Sequence, residues 1–380
     1  MQKILITDIQ PHTVLGRDIF DSRGRLLVST GTRLTQKMIQ RMTDLGIAAV
    51  YAKNDLWNAV EVPEVVRDEV RRKARRSIQS VFDSIQQETP LDVYRVRKTA
   101  GLIIDEILAN PHALVHLTDI RTLDGYTLGH SVNVCVLSVM VGVKMQYDPS
   151  RLHDMATGAL LHDVGKLAVP ITILNKPGNL TADEFDIMKE HAVRGYEMLR
   201  KQHHDLSYPA IHIAFQHHEK YDGSGYPRGL QKTEIHEFSR IVAIADVYDA
   251  LTTERVYKKA FLPHEAYEIM KNSTYTHFDP ELLQVFLGQI AVYPVSSVLV
   301  LNNGDIGIVT QVPEGLPARP VVRLIFDKNI NPYPPELTVD LREHLTTFVE
   351  KVLTEEETAL LLAQHRRNQQ SRRQSFIPGA

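Results

Sequence analysis

Among the imidazoles and carboxylates between residues 130 and 246, seven are candidates to hold a divalent cation: His130, His162, Asp163, His191, His217, His218 and Asp246. The densest stretch is Leu160-Leu161-His162-Asp163-Val164-Gly165-Lys166. An adjacent His and Asp can place an imidazole nitrogen and a carboxylate oxygen on one cation, and the second carboxylate oxygen can serve another. Singly, each residue has an ordinary explanation. His130 or His191 alone reads as a satisfied core or surface histidine, and Asp246 as a buried acceptor for a backbone or arginine donor. Yet Asp246 ends the run Ile241-Val242-Ala243-Ile244-Ala245-Asp246, in an apolar helix where an unpaired carboxylate is costly. His217 and His218 stand ~100° apart around a helix, so they converge only at a helix end. Taken jointly, imidazoles and carboxylates at so many apolar-helix positions point to a metal centre.

The elements that must position these residues read as helices. From about Pro111 to Ile290 the hydrophobic pattern is helical almost throughout. Thr181-Ala182-Asp183-Glu184 is a capping box that opens a helix with Phe185, Met188, Ala192 and Leu199 as its apolar stripe and His191 at the stripe's edge. His217-His218-Glu219 ends another apolar helix, and Lys220-Tyr221-Asp222-Gly223-Ser224-Gly225-Tyr226-Pro227 follows as a loop. Its two glycines allow backbone angles that other residues resist, and Pro227 holds Tyr226 extended. Attached to metal ligands, such a loop can wall the site and present the Tyr226 ring to a base; by itself it reads equally as a surface turn.

The 380 residues suggest two or three domains, with 43% hydrophobic and 23% charged content typical of a soluble globular chain. A net charge of −3 argues against a nucleic-acid binder relying on a basic surface. The single cysteine, Cys135, excludes an intramolecular disulfide and fits a reducing compartment; its apolar neighbours make it a packing residue. No apolar stretch approaches a membrane span and no signal peptide is visible, so the expected location is the cytoplasm, with no membrane or nucleic-acid partner.

Outside the helical region the domain boundaries are expected at 1–60, 61–110, 111–292, 293–363 and 364–380. Residues 1–60 read as a small α+β regulatory or docking module: strands near Val14–Phe20 and Arg25–Ser29, a helix capped by Thr35, and a strand from Ile47. This module is the place for a protein partner. Residues 61–110 form a helical connector in which Val66, Val70, Ala74, Ile78, Val81 and Ile85 recur at three- and four-residue steps, continued by Val93, Val96, Ala100, Ile103 and Ile107. It reads either as a dimerising, signal-transmitting helix, making the protein a homodimer through 63–110, or as bundle helices with a solvated basic face. Val298–Leu301, Ile306–Val309 and Val321–Phe326 are strands of a small β extension, followed by a short helix near Glu350–Ala363 and a disordered tail rich in Arg, Gln and Ser. The fold class is therefore mainly α, with small α+β and β appendages.

The motifs HDVGK, HHEKYDGSGYPRGL and RIVAIADVYDALTTERVYKKA resemble those of the HD-GYP family, a subgroup of the HD metal-dependent phosphohydrolases, over about residues 112–290. The resemblance implies an all-helical HD-type hydrolase domain that opens cyclic di-GMP, a bacterial second messenger, to pGpG, in some members on to GMP. It makes His130, His162, Asp163 and Asp246 ligands of one metal, with Asp163 bridging to a second held by His191, His217 and His218. Lys166 would contact the scissile phosphate, Arg255 and Lys258 the other, and Asp249 would order the attacking water or a ligand. Tyr226 and Pro227 would face the substrate. Some members place a glutamate four residues before the first histidine and bind a third metal. Here that position is Tyr126, so two ions are expected: Fe or Mn, with Ni, Co or Zn as alternatives. Val256 stands where proline is common, with little expected consequence. Two metals ~3.5–4 Å apart lower the pKa of a bridging water and clamp an in-line displacement at phosphorus, while cationic side chains neutralise the developing charge. Other readings are hydrolysis of a different nucleotide such as cyclic GMP-AMP, and a catalytically silent cyclic-di-GMP receptor, which would not need every ligand intact.

Overall fold

The structure is a computed structural model that describes residues 1–21, 25–47, 49–57, 60–87, 89, 91–111, 114, 126–201, 205–253 and 260–374. The chain opens with β1 (Gln2–Leu5), β2 (Ile19–Phe20), β3 (Leu26–Val28), α1 (Gln36–Asp44) and β4 (Ala49–Ala52). β1 pairs antiparallel with β4, and β2 with β3. Thr35 caps α1 as expected, its hydroxyl accepting from the Met38 N–H at 3.3 Å. The sequence pattern does not reveal β1, because four residues are too short to show alternation.

Ten helices follow among the described residues: α2 (Asp68–Gln86), α3 (Val93–Ala109), α4 (Tyr126–Lys144), α5 (Pro149–Leu161), α6 (Ile171–Leu174), α7 (Ala182–Arg200), α8 (Tyr208–Gln216), α9 (Glu237–Thr252), α10 (Pro263–Asn272) and α11 (Pro280–Leu287). The chain then forms β5 (Val298–Leu301), β6 (Ile306–Gln311), β7 (Val321–Phe326), β8 (Thr338–Asp340), β9 (Val349–Leu353) and α12 (Glu355–Gln374). Strands β5 to β9 make one antiparallel sheet in the order β8-β7-β6-β5-β9. The fold is mainly α with small β additions. No described helix is long and apolar enough to cross a membrane.

The described residues divide into two compact units, neither a continuous stretch. One comprises residues 1–63 and 291–374, so the N-terminal module and the C-terminal sheet belong together although the sequence places them at opposite ends. The reason is packing: Trp57, Val60 and Val62 share a core with Leu299, Ile308, Val322 and Phe326, and the Trp57 indole N–H donates to the Ser296 carbonyl at 3.1 Å. α12 continues past residue 364, where the sequence reading begins a disordered tail. Its Gln and Arg residues are adequate helix formers.

The other unit holds the helices α2 to α11. α4 lies at its centre, packed on α5 and α9, while α5 also packs on α8 and α3. Val132, Val134, Cys135, Val136, Leu137 and Val139 are all buried: a helix apolar on every side belongs inside, and burial overrides the weak helix propensity of valine. Cys135 is a buried free thiol, as its surroundings in sequence imply. The stripes on α2 and α3 that suggested a dimer, among them Val70, Ala74, Ile78, Ala100, Ile103 and Ile107, are buried within the chain itself. α2 packs on α3 and α4, and α3 on α5.

Candidate metal centre

Each candidate ligand comes from the end or the buried face of a helix. α5 starts at a strong cap, Asp148, whose carboxylate accepts from the Ser150 and Arg151 N–H groups with Pro149 in the first turn. It ends at Leu161, so His162 and Asp163 emerge where the helix stops. A short 3-10 helix, Val164–Ala168, carries Lys166 back over Asp163, and the ammonium lies 2.5 Å from Asp163 Oδ2. α7, opened by the Thr181–Glu184 capping box, brings His191 to the same point. Gly165 makes this approach possible, since a Cβ there would overlap the His191 carbonyl and the Gly195 amide. α8 ends at Gln216, leaving His217 at its C-terminus and His218 just beyond, the helix end that two adjacent ligands require. His130 projects from α4, and Asp246 and Asp249 from successive turns of α9.

The seven ligand candidates form two groups. Asp163, His191, His217 and His218 make one; His130, His162 and Asp246 make the other, and within each group the ligand atoms lie within 4.8 Å of one another. Asp163 joins them. Its Oδ1 is 3.6 Å from His191 Nε2 and 3.7 Å from His217 Nε2. Its Oδ2 is 3.4 Å from His162 Nε2 and 3.7 Å from His130 Nε2. His130 Nε2 also lies 3.0 Å from Asp246 Oδ1, and His218 Nδ1 3.8 Å from Asp246 Oδ2.

The imidazole orientations follow from what their other nitrogens do. His162 donates Nδ1–H to the Ala159 carbonyl at 2.7 Å, and His191 to Met188 at 2.6 Å. His217 shares its Nδ1–H between Ile213 and Ala214, both at 3.1 Å. His130 Nδ1 instead meets a carboxylate, Asp249 Oδ2, at 2.7 Å. In each of these rings a donor role for Nδ1 turns Nε2 inward, where its lone pair is open to a cation once no proton occupies it.

The site fits cations. His162 Nε2 and Asp163 Oδ1 are fully buried with no hydrogen-bond partner among the described residues, and Asp163 is only 1% exposed. Such polar atoms are costly unless something coordinates them. Electrostatics agree. Burial pulls the His191 pKa down to about 4, against the opposing pull of Asp163. Burial, reinforced by His217, holds His218 well below the usual histidine range, so both rings keep a lone pair. Around His130 burial is outweighed by Asp246 and Asp249, which push the ring up to about 9; the proton held there marks an excess of negative charge that a cation would neutralise. Burial also opposes ionisation of Asp163, but Lys166 and His162 keep its carboxyl well below the usual carboxylate range. Asp246 is likewise held ionised against burial by the His130 ring.

The loop after His218 closes over these rings. Tyr226 donates its backbone N–H to the His218 carbonyl at 3.2 Å, and its ring lies 4.8 Å from the His218 ring and 6.5 Å from that of His191. Pro227 follows through a cis peptide bond. Arg255, Val256 and Lys258 lie outside the described residues, as does the Tyr126 side chain.

Asn133 comes into view only here, and the structure gives Asp249, Glu219 and Phe185 their contacts. Asn133 donates to Asp249 Oδ1 at 2.7 Å; it sits one turn after His130, a spacing that places both on one helix face. Asp249, 0% exposed, thus meets Asn133 with one oxygen and the His130 ring with the other. Glu219 is buried, and its two oxygens accept from the Arg228 and Leu230 N–H groups at 2.8 and 3.0 Å, bracing the loop. Phe185, read from sequence as part of the α7 stripe, is 46% exposed and edge-on to the Tyr226 ring at 6.3 Å.

Residues 103–282 match a family model described as an HD domain, and residues 298–361 one described as a KOW domain associated with HD domain. The second match spans the C-terminal sheet and the start of α12. A Pseudomonas aeruginosa protein named cyclic di-GMP phosphodiesterase PA4108 is 33% identical over 269 residues, covering 71% of this chain and 64% of that protein. A Vibrio cholerae protein named cyclic di-GMP phosphodiesterase is 31% identical over 278 residues, 71% of this chain and 50% of its own length. Another Vibrio cholerae protein, named 3'3'-cGAMP-specific phosphodiesterase 2, is 46% identical over 127 residues, 33% of this chain and 24% of that protein. The chain spans less than two thirds of each of these relatives.

Proposed function

We propose, on the footing that this chain belongs to the HD-GYP family of HD-domain proteins, that it is a metal-dependent phosphodiesterase opening cyclic di-GMP to linear pGpG at a binuclear centre. The observation carrying this reading is Asp163, a buried carboxylate whose two oxygens face two separate sets of imidazoles. His130, His162, Asp163 and Asp246 would hold one ion, and Asp163, His191, His217 and His218 the other. When bound, the ions supply Lewis acidity at the phosphoryl oxygens and lower the pKa of a water.

The remaining steps fall to the chain's own side chains. Lys166, 25% exposed at its side chain and beside Asp163, is placed to exchange that partner for a phosphate oxygen and to neutralise charge that grows as the phosphorus is attacked. Arg255 and Lys258 are proposed for the second phosphate. Tyr226 and Phe185 offer aromatic faces and edges to a guanine, and the half-buried His218 and buried His191 rings behind Tyr226 limit water on that side. Residues 1–60 are proposed to dock a protein partner.

The test is product identification with purified protein and stoichiometric metal. Cyclic di-GMP turned over to pGpG, and no turnover in the Asp163→Ala protein, is the expected outcome; hydrolysis by metal-free Asp163→Ala would overturn it. A second reading, cleavage of cyclic GMP-AMP, is favoured by the 46% identity to a relative carrying that name. Parallel kcat/KM measurements on the two dinucleotides separate the readings.

A further inference from the structure

The hydrogen bonds behind His130 do not end at Asn133. The Arg71 guanidinium, on α2, donates to Asn133 Oδ1 at 2.8 Å and to the Val66 carbonyl at 3.2 Å. The direction of each link is chemically determined. Arg has donors and no acceptor, so it engages the amide oxygen of Asn133 and turns the NH₂ group toward Asp249. Asp249 is acceptor-only when ionised: one oxygen takes the Asn133 N–H at 2.7 Å and the other meets His130 Nδ1 at 2.7 Å. That turns His130 Nε2 inward, 3.0 Å from Asp246, as the nitrogen a cation would take in place of a proton. Without Arg71 the Asn133 oxygen loses the donor that holds it, and only the Asp249 carboxylate still selects the sense of the amide.

From this geometry we propose that Arg71 is a positioning residue for the metal centre, acting through Asn133 and Asp249 on His130, and so makes α2 a determinant of metal affinity. The inference rests on the binuclear-centre reading. In sequence Arg71 belongs to a basic run that reads as a solvated face; in the structure it is half-buried, and the helix bearing it packs on α4, which carries His130 and Asn133. Outer partners of metal-bound histidines typically change affinity by about 10–100-fold when removed, and Arg71, two hydrogen bonds behind Asp249, falls at the lower end of that range.

The experiment titrates full-length protein with Co(II) against a competing chelator, following the visible Co(II) spectrum, for wild type, Arg71→Met, Arg71→Gln, Asn133→Ala and the Arg71→Met/Asn133→Ala pair. Arg71→Met is expected to weaken one of two binding events about tenfold and alter its spectrum. Arg71→Gln, which keeps an N–H donor, is expected to recover most of the loss. Asn133→Ala and the double variant are expected to behave alike, because the proposed path from Arg71 to His130 runs through Asn133. Wild-type affinity and spectrum in a folded Arg71→Met protein, or additive losses in the double variant, would overturn the proposal. Should Arg71→Met not fold, Arg71→Gln with the affinity of Asn133→Ala would equally overturn it. Absence of Co(II) binding by the wild-type protein would instead overturn the metal-centre reading on which the proposal rests.

Discussion

The two halves of the candidate centre are built differently. In the half made by His191 and His217, each imidazole is oriented by a carbonyl of its own helix, from Met188 and from Ile213 and Ala214. In the half that includes His130, His162 is likewise held by a carbonyl, that of Ala159, but His130 is oriented by a carboxylate on α9 that an amide on α4 braces. A ligand held by backbone cannot lose its partner to a side-chain substitution, whereas one held by side chains can. The His191 and His217 rings are thus fixed by the helices themselves, and the second half is adjustable from a distance through His130.

Asp163→Ala removes the carboxylate common to both halves and is expected to have the largest effect, with ion binding and turnover lost together. Metal analysis and a product assay on one sample check it, and a variant retaining either would break the comparison at its centre. Asp249→Asn strikes only the adjustable half. Its amide can still face His130, but no longer as a charged acceptor; one ion should weaken about 10–100-fold while the other is retained, as read by isothermal titration. Equal weakening of both ions would mean that the halves are not independent.

The backbone-held half has to be attacked sterically. Gly165→Ala sets a methyl group against the His191 carbonyl, and is expected to destabilise the fold by about 1–3 kcal/mol, seen as a lowered Tm. A Tm equal to wild type would show that α7 can shift without penalty. The smallest expected effect is at the rim. Phe185→Ala removes an exposed ring beside Tyr226, and at the low end of a stacking contribution of ~1–3 kcal/mol per base KM for a cyclic dinucleotide should rise about fivefold with kcat little changed. A fall in kcat at constant KM would place Phe185 outside the base site.

What was legible in the sequence follows the same division. Metal-type side chains announce themselves, so His130, His162, Asp163, His191, His217, His218 and Asp246 could be assembled before any coordinates, and the structure brings them together. The carbonyls of Ala159, Met188 and Ile213 carry no residue-type signal, because every residue has one. Asn133 could have been found from its spacing to His130. Glu219 was visible beside the paired histidines, but its use as an acceptor for the loop amides depends on a turn geometry that composition does not specify. In the fold, the helical periods and the strands Val298–Leu301 and Val321–Phe326 were readable locally. The union of Trp57 and Val60 with the C-terminal sheet was not, since contacts between distant stretches leave no periodicity in either.

The most direct test of the central role given to Asp163 is the ion content of anaerobically purified protein, measured per chain for wild type and Asp163→Ala. Two ions in the wild type and loss of both in the variant is the predicted result. Two ions retained by Asp163→Ala, or three in the wild type, would contradict it.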